Sequence, residues 1–369
     1  MLATIGRYRE WARPSRWLRP AAILGLGIAC YLAVAWPLNL LAGRLAGEPR
    51  AAIVSHKLDD LRAHAADYDV ILIGSSRVHY DIDPAVLDRS LAEAGCPVRV
   101  YNFGVPGLTA AELHWLAARL AEIDGGWQAV LIERPQLPLR TWRFVGSGRH
   151  RMGHMELAQV GLSVEALATS SRSRLNAAVD MVQVALGYLY YEIGPGRLAE
   201  LIEAKPETVP DEGFRIDLSR DGFVPLEEEV SALLQARADR MDWDEFAVRL
   251  ASLRRTAPAS TPLSEARLDH LRAQIADAGR VAPNVGLLLL PQAQKASVDD
   301  SAAIAEAVAA GEFGRVALVN LGDPIAYPRL FDDGIWYDDD HLLGEGVPRA
   351  SAALGPAICT ALPTLRASR

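Results

Sequence analysis

The chain has 369 residues, of which 50% are hydrophobic and 23% are charged, so it can form two modest domains or one domain with a large insertion around a buried core. Its formal net charge of −8 argues against nucleic-acid binding, because contacts to phosphate groups require concentrated lysine and arginine.

An apolar segment near the N-terminus is the first predicted element. Residues 21–42 contain no charged residue, and at about 1.5 Å per residue a helix of this length crosses a hydrocarbon core of about 30 Å. Several arginines precede it and only Glu10 opposes them, so residues 1–20 are predicted to be a basic cytoplasmic tail. We therefore expect a single-pass protein of the inner (plasma) membrane whose main domain is periplasmic or otherwise extracytoplasmic. The alternatives are a buried core helix or a signal peptide cleaved near Ala42-Gly43, although a signal core is usually only about 7–15 residues long.

Strands and helices alternate after the apolar segment. Residues 43–69 are predicted to be a juxtamembrane connector with an amphipathic helix over residues 56–68, and residues 346–362 the last helix. Asp83-Pro84 is typical of an N-cap followed by the first helical residue, and Thr109 with Glu112 forms a capping box. Short aliphatic runs predict five strands, at residues 70–73, 98–101, 130–132, 285–290 and 316–319. The alternation predicts a three-layer, doubly wound parallel α/β sheet with right-handed crossovers.

The segment between the third and fourth strands is far longer than a crossover requires. It contains helical patterns at residues 164–193, 226–241, 242–253 and 264–278. We therefore predict an α/β domain made of residues 70–140 and 264–369, with a helical insertion over residues 141–263. One apolar stripe in the insertion is either its core or, together with Tyr188, Tyr190 and Tyr191, an interfacial belt beside a membrane: Val179, Val182, Leu186, Leu189 and Ile193.

Three loops after predicted strands carry the chemically active side chains. They are Gly74-Ser75-Ser76-Arg77, the loop from Asn102 to Gly107, and residues 336–346, and parallel α/β sheets bind ligands at the carboxyl ends of their strands. A serine hydroxyl needs an imidazole base whose other ring nitrogen is held by a carboxylate, and Asp338 and His341 are close enough to project from one turn. The aspartates at 338, 339 and 340 could instead bind Ca²⁺, but no EF-hand spacing surrounds them.

These motifs resemble the SGNH, or GDSL-type, hydrolase superfamily, which has Gly-x-Ser after its first strand and Asp-x-x-His before its last helix. The resemblance covers residues 70–135 and 285–362 and implies a flavodoxin-like sheet. It assigns Ser76 as the nucleophile, His341 as the general base and Asp338 as the carboxylate that orients it. It further implies that the backbone N–H groups of Ser76 and Gly107 form an oxyanion hole, and that no metal and no cofactor takes part.

The third sequence block departs from this superfamily. The superfamily has Gly-x-Asn-Asp there, with the asparagine as an oxyanion donor, whereas residues 132–136 read Ile-Glu-Arg-Pro-Gln. Losing one such donor costs about 2.7–4 kcal/mol of transition-state stabilisation. Arg134 or Gln136 could replace it, and Asn102 is another candidate donor. Together with Arg77, the residues Arg134 and Gln136 are also candidates for contacting a substrate.

The resemblance extends to a membrane-anchored branch that O-acetylates exopolysaccharides or adds D-alanine to teichoic acids. It implies an acyltransferase or esterase that acts on O-acyl groups of a cell-surface glycan or lipid, with a polytopic membrane acyltransferase as partner. The alternative is a non-catalytic scaffold subunit of a membrane complex, which the degraded third block favours.

The chain has three cysteines, of which Cys30 lies inside the apolar segment. In a flavodoxin-like order the first and last helices share a face, which brings Cys96 and Cys359 towards the same edge of the sheet. Either a disulfide, as an oxidising compartment permits, or two buried free thiols fit this expectation.

Overall fold

The computed structural model describes residues 14–46, 52–108, 110–134, 174–192, 220–228 and 232–366, with isolated positions between 160 and 198. Helix α1, Pro14–Ala46, contains the predicted apolar segment. Its stretch Pro20–Ala42 contains an 18-residue window with a mean hydropathy of 2.0 and no buried residue, and only Asn39 and Ala42 near its end are buried, so it is long and apolar enough to cross a membrane.

The predicted parallel sheet is present, with five strands. They are β1 Val70–Gly74, β2 Val100–Gly104, β3 Ala129–Glu133, β4 Asn284–Leu289 and β5 Ala317–Asn320, in the spatial order β2-β1-β3-β4-β5. Every neighbouring pair is parallel. The largest shift from prediction is in β2, which begins at Val100 rather than at residue 98 because its pairing with Val70 of β1 starts there.

Helices connect and cover the strands. The helices after α1 are α2 Ala52–His64, α3 Ser76–Asp81, α4 Pro84–Glu93, α5 Ala110–Leu120, α6 Arg174–Glu192, α7 Ala232–Ala238, α8 Trp243–Leu253, α9 Glu265–Ala278, α10 Lys295–Ala309 and α11 Gly346–Ala361. Short 3₁₀ turns lie at Ala65–Asp67, Leu226–Glu228, Pro328–Phe331, Asp333–Ile335 and Pro363–Arg366. The sequence did not predict α3 or α10. It did predict the start of α4, where Asp83 Oδ1 accepts a hydrogen bond from Ala85 N–H at 2.8 Å.

The two faces of the sheet pack into separate hydrophobic clusters. Along β1, Val70 and Leu72 face a cluster that includes α4 and α11, whereas Ile71 and Ile73 face one that includes α2, α5 and α9. The strand is buried on both sides, which explains its continuous aliphatic sequence.

The two cysteines at the edge of the sheet are joined. Cys96, which follows α4, and Cys359 of α11 form a disulfide, with their Cα atoms 5.8 Å apart. The bridge closes a sequence separation of 263 residues and links the helices that pack side by side on one face.

The described part of the segment between β3 and β4 contains helices α6 to α9. Contacts divide the chain into two compact units. One contains α1 and the part of α6 that begins at Ala185, and the other contains the sheet and the remaining described helices.

Candidate functional site

Ser76 lies where β1 turns into α3. A Cβ on Gly74, the last residue of β1, would lie 2.2 Å from Val78 Cγ2 and 2.8 Å from Glu133 Cβ, so only glycine fits. Ser75 is the N-cap of α3, and its hydroxyl accepts a hydrogen bond from a backbone N–H two residues later at 3.4 Å. Ser76 begins the helix with a partly exposed side chain, whereas Ser75 is buried. The turn thus presents one of the two serines.

His341 reaches Ser76 across 265 positions of sequence. Its Nε2 lies 2.8 Å from Ser76 Oγ, which is hydrogen-bonding distance. Its Nδ1 lies 3.0 Å from each carboxylate oxygen of Asp338. The three side chains predicted from the sequence therefore lie together, in the order hydroxyl, imidazole and carboxylate, which is the arrangement that activates a serine.

Asp338 is fully buried and held in one orientation. Its Oδ1 accepts hydrogen bonds from the backbone N–H groups of Asp340 and His341, both at 2.8 Å. Burial acts to raise the pKa of Asp338, but the hydrogen bond and charge of His341 and the nearby Arg237 guanidinium together hold it below its ordinary value. The carboxylate is therefore ionised at neutral pH and available to orient the imidazole.

Arg237, from helix α7 of the insertion, binds the whole aspartate turn. Its Nη2 contacts the carboxylates of Asp339 and, at 2.6 Å, Asp340, and its Nε lies 3.5 Å from Asp338 Oδ2. Partial burial acts to lower the pKa of Arg237, but the three carboxylates raise it above its ordinary value. Among the described residues no group of three or more histidine, cysteine, aspartate or glutamate side chains is placed to hold a metal ion. The positive charge that contacts the three aspartates of this turn is the guanidinium of Arg237.

Glu133 lies behind the turn that carries Ser76, at the end of β3. Its Oε2 accepts a hydrogen bond from Ser75 N–H at 2.6 Å, and its Oε1 is ion-paired with Arg77. Both side chains of this pair are nearly inaccessible, 3% exposed for Arg77 and 1% for Glu133. Arg77, which the sequence offered as a substrate contact, is instead enclosed behind the turn, where its charge compensates Glu133.

Asn102, the candidate oxyanion donor on β2, is committed to the backbone. Its Nδ2 donates to the carbonyl oxygens of Val78 at 2.6 Å and Ile82 at 2.8 Å, and its Oδ1 accepts from Gly104 N–H at 2.8 Å. Both amide protons are used, so this side chain has none to donate to an oxyanion. Its effect is to fix the middle and the C-terminal end of α3 against β2.

Arg134 and Gln136 are the two other candidates to replace the missing asparagine, and the structure describes only Arg134. Arg134 is ion-paired with Asp300 of α10 and its Nη2 donates to Gln292 Oε1 at 3.3 Å, so it joins β3 to the residues after β4. Its side chain is 16% exposed. Gln136 lies outside the described residues.

Gly107 lies in the loop that follows β2. This loop is joined to the turn between β1 and α3 by the hydrogen bond from Val105 N–H to Gly74 O, at 2.8 Å. Gly107 is exposed and has a φ of +77°, a conformation that favours glycine. A left-handed residue here turns the chain beside the end of β1, the edge from which Ser76 projects.

Asp81, at the end of α3, was not singled out from the sequence. It is buried, and its Oδ1 accepts a hydrogen bond from Leu342 N–H at 3.1 Å. This bond ties the helix that carries Ser76 to the loop that carries His341. Burial raises the pKa of Asp81 well above its ordinary value, and the hydrogen bond and the charge of Arg77 only partly oppose it.

Lys57, in the connector helix α2, was also missed. It is fully buried, and its Nζ donates to the carbonyl oxygens of Asn102 at 2.9 Å and Gly104 at 2.8 Å and lies 3.2 Å from His79 Nδ1. Burial and the neighbouring ammonium lower the pKa of His79, so its ring is neutral and its Nδ1 accepts. A signal was present: Lys57 falls three residues after Val54 and four before Leu61, on the buried face of α2.

Comparisons of this chain with protein-family profiles, with curated proteins and with solved structures found no match.

Proposed function

We propose that this protein is a membrane-anchored serine acyltransferase or esterase of SGNH type, acting outside the cytoplasm on O-acyl groups of a cell-surface glycan or lipid. The observation that carries the proposal is the continuous hydrogen-bonded series Ser76 Oγ, His341 Nε2, His341 Nδ1 and Asp338, with distances of 2.8 Å and 3.0 Å. The strand order β2-β1-β3-β4-β5 also supports a flavodoxin-like assignment of the fold.

In the proposed reaction Ser76 Oγ attacks the carbonyl carbon of an ester while His341 Nε2 takes the hydroxyl proton. The tetrahedral intermediate collapses, the leaving alcohol takes that proton from His341, and an acyl-serine remains. A second hydroxyl, from water or from a sugar, then attacks the acyl-serine and gives its proton to His341. The bond between the acyl group and Ser76 Oγ breaks, and His341 returns the proton to Ser76 Oγ. Asp338 stabilises the imidazolium in both steps without taking its proton.

The oxyanion hole is assigned to the N–H groups of Ser76 and Gly107. The Ser76 N–H belongs to the first turn of α3, where backbone donors have no intrahelical partner, and its neighbour Ser75 N–H already donates to Glu133. Asn102 makes no contribution, since its amide protons are used. Two backbone donors without an asparagine favour a slow enzyme, because each oxyanion donor contributes to stabilising the transition state.

The anchored location rests on α1, which is apolar enough to span a membrane, and on the arginines that precede it. Under this proposal the sheet and its site lie outside the cytoplasm, where acylated glycans or lipids are reached. A polytopic membrane protein that supplies acyl groups is the proposed partner.

The test is labelling of the detergent-solubilised protein with a fluorophosphonate, which reacts readily only with an activated serine. We expect the wild-type protein and Ser75→Ala to be labelled and Ser76→Ala to remain unlabelled, because only Ser76 lies beside His341. Equal labelling of Ser76→Ala would refute the assignment of the nucleophile. A folded wild-type protein that does not react would favour the alternative of a non-catalytic scaffold subunit. The hydrogen bonds that occupy the Asn102 amide are compatible with that alternative.

A further inference from the structure

Helix α6 carries a row of large apolar side chains on its exposed face. We call this row the α6 stripe: Leu175, Val179, Val182, Leu186 and Leu189. Each of these side chains is between 44% and 74% exposed. They recur at alternating spacings of four and three residues and so form one continuous strip along the helix. The sequence left open whether the predicted row from Val179 to Ile193 forms the core of the insertion. The four described members of that row also belong to the α6 stripe, and their exposure excludes a core position for them.

The residues on the opposite, inward side of α6 are smaller. Ala177, Val184 and Gly187 are buried there, although the outward side holds three leucines. A helix that packs on a protein core in water has the reverse distribution, with its largest apolar side chains turned inward. An apolar strip of this length therefore has an apolar partner.

The partner of the stripe is indicated by the grouping of part of α6 with α1. The part of α6 from Ala185 onward belongs to the same compact unit as α1. Six residues after the end of α6, the backbone N–H of Leu198 donates to Asn39 Oδ1 at 3.3 Å. Asn39 is buried and lies three residues before Ala42, where the apolar span of α1 ends. At about 1.5 Å per residue, this hydrogen bond lies within one helical turn of the boundary between hydrocarbon and water.

The composition of α6 fits a helix that lies along this boundary. It has 19 residues, and none between Met181 and Tyr191 is charged. Among the described helices only the stretch Pro20–Ala42 is apolar enough to cross a membrane, so α6 is not a second span. Tyr188 and Tyr190 lie towards its C-terminal end, and tyrosine is enriched where membranes meet water.

We propose that the α6 stripe is embedded in the lipid bilayer interface, so that the chain contacts the membrane through α6 as well as through α1. The proposed partner of the stripe is lipid, because the part of the stripe after Ala185 belongs to the same compact unit as α1. Embedding about half of a 19-residue helix in this way gives the unit a fixed orientation on the membrane. The inference rests on the proposed membrane span of α1 and not on the proposed enzymatic activity.

The test uses the full chain in liposomes, in a Cys30→Ala background that leaves the Cys96–Cys359 disulfide in place. A bimane fluorophore is attached to Val182→Cys or Leu186→Cys, and the liposomes contain phosphatidylcholine brominated near the headgroup end of its acyl chains. Leu40→Cys in α1 is the positive control, since it is 40% exposed near the end of the span. Val248→Cys is the matched negative control, an equally apolar position on α8 that is 70% exposed.

We expect the labels at positions 182 and 186 to lose fluorescence to the extent seen at position 40, and the label at position 248 to lose none. Unquenched labels at 182 and 186, with quenching at 40, would overturn the proposal. Disulfide cross-linking between two copies of the Leu186→Cys variant without quenching would also overturn it, and would assign the stripe to self-association.

Discussion

Ser76 Oγ and His341 Nε2 lie 2.8 Å apart, although the two residues are 265 positions apart in the sequence. Two features of the fold bring them together. The turn from β1 into α3 presents Ser76, and Asp81 at the other end of α3 holds the backbone beside His341 through Leu342 N–H. Ser76 and His341 are therefore fixed to each other by a short helix as well as by their own contact.

The first prediction separates Asp338 from its neighbours. Asp338→Asn removes the carboxylate that orients His341 and is expected to slow fluorophosphonate labelling by a large factor, about 10⁴ where this substitution yields the wrong imidazole tautomer. Asp340→Asn, which loses only a contact to Arg237, should have a much smaller effect. Rate constants for labelling, with folding checked by near-ultraviolet circular dichroism, measure the difference. Equal rates for Asp338→Asn and the wild-type protein would contradict the assignment.

The three side chains of the candidate site could be predicted from the sequence because topology fixes their location. Parallel strands place their following loops at one edge of the sheet, so Ser76 and the turn of Asp338 and His341 were expected to meet there. The strands were predicted for a similar reason, since β1 is buried on both faces and its sequence is continuously aliphatic.

The residues that support the site could not be predicted in this way. Arg237 reaches the aspartate turn from a helix about 100 positions earlier in the chain, and Lys57 reaches β2 from the connector. No local pattern encodes such pairings, because each depends on how distant elements pack. For the same reason the periodicity of α6 identifies the residues that share a face, but not whether protein or another medium covers that face.

The second prediction concerns the buried pair of Glu133 and Arg77. Glu133→Gln keeps an acceptor for Ser75 N–H but leaves the guanidinium of Arg77 uncompensated at 3% exposure, so we expect a loss of about 3–5 kcal/mol in the free energy of unfolding. Arg77→Met combined with Glu133→Gln should recover much of this loss, because no unpaired charge remains. Urea unfolding followed by tryptophan fluorescence gives both values. A double variant less stable than Glu133→Gln alone would show that the charge is not the cause.

The third prediction concerns pH. Burial raises the pKa of Asp88 to about 7, whereas an unfolded aspartate has a pKa of about 3.9. The folded state therefore binds the proton more tightly, and this carboxyl lowers stability increasingly as the pH rises from about 4 to about 7. Asp88→Asn should raise the melting temperature clearly at about pH 8 and less at about pH 5. Asp124→Asn, at an exposed loop position, is the control and should change neither value. An equal gain for Asp88→Asn at both pH values would contradict the prediction.

The last prediction concerns the bridge between Cys96 and Cys359. The disulfide closes a loop of 263 residues, and removing such a bridge costs about 2–5 kcal/mol, since the unfolded chain regains conformational freedom. The double substitution Cys96→Ser with Cys359→Ser should therefore lower the melting temperature, and a reducing agent should lower that of the wild-type protein to a similar value. Cys30→Ser, at an exposed position of α1 outside the bridge, is the matched control and should leave the response to the reducing agent unchanged.

The bridge also tests the compartment, because disulfides persist where the surroundings are oxidising. Protein isolated under alkylating conditions from its native membrane should carry no alkyl group on Cys96 or Cys359. Alkylation of both residues in the folded protein would argue against an extracytoplasmic location of the sheet.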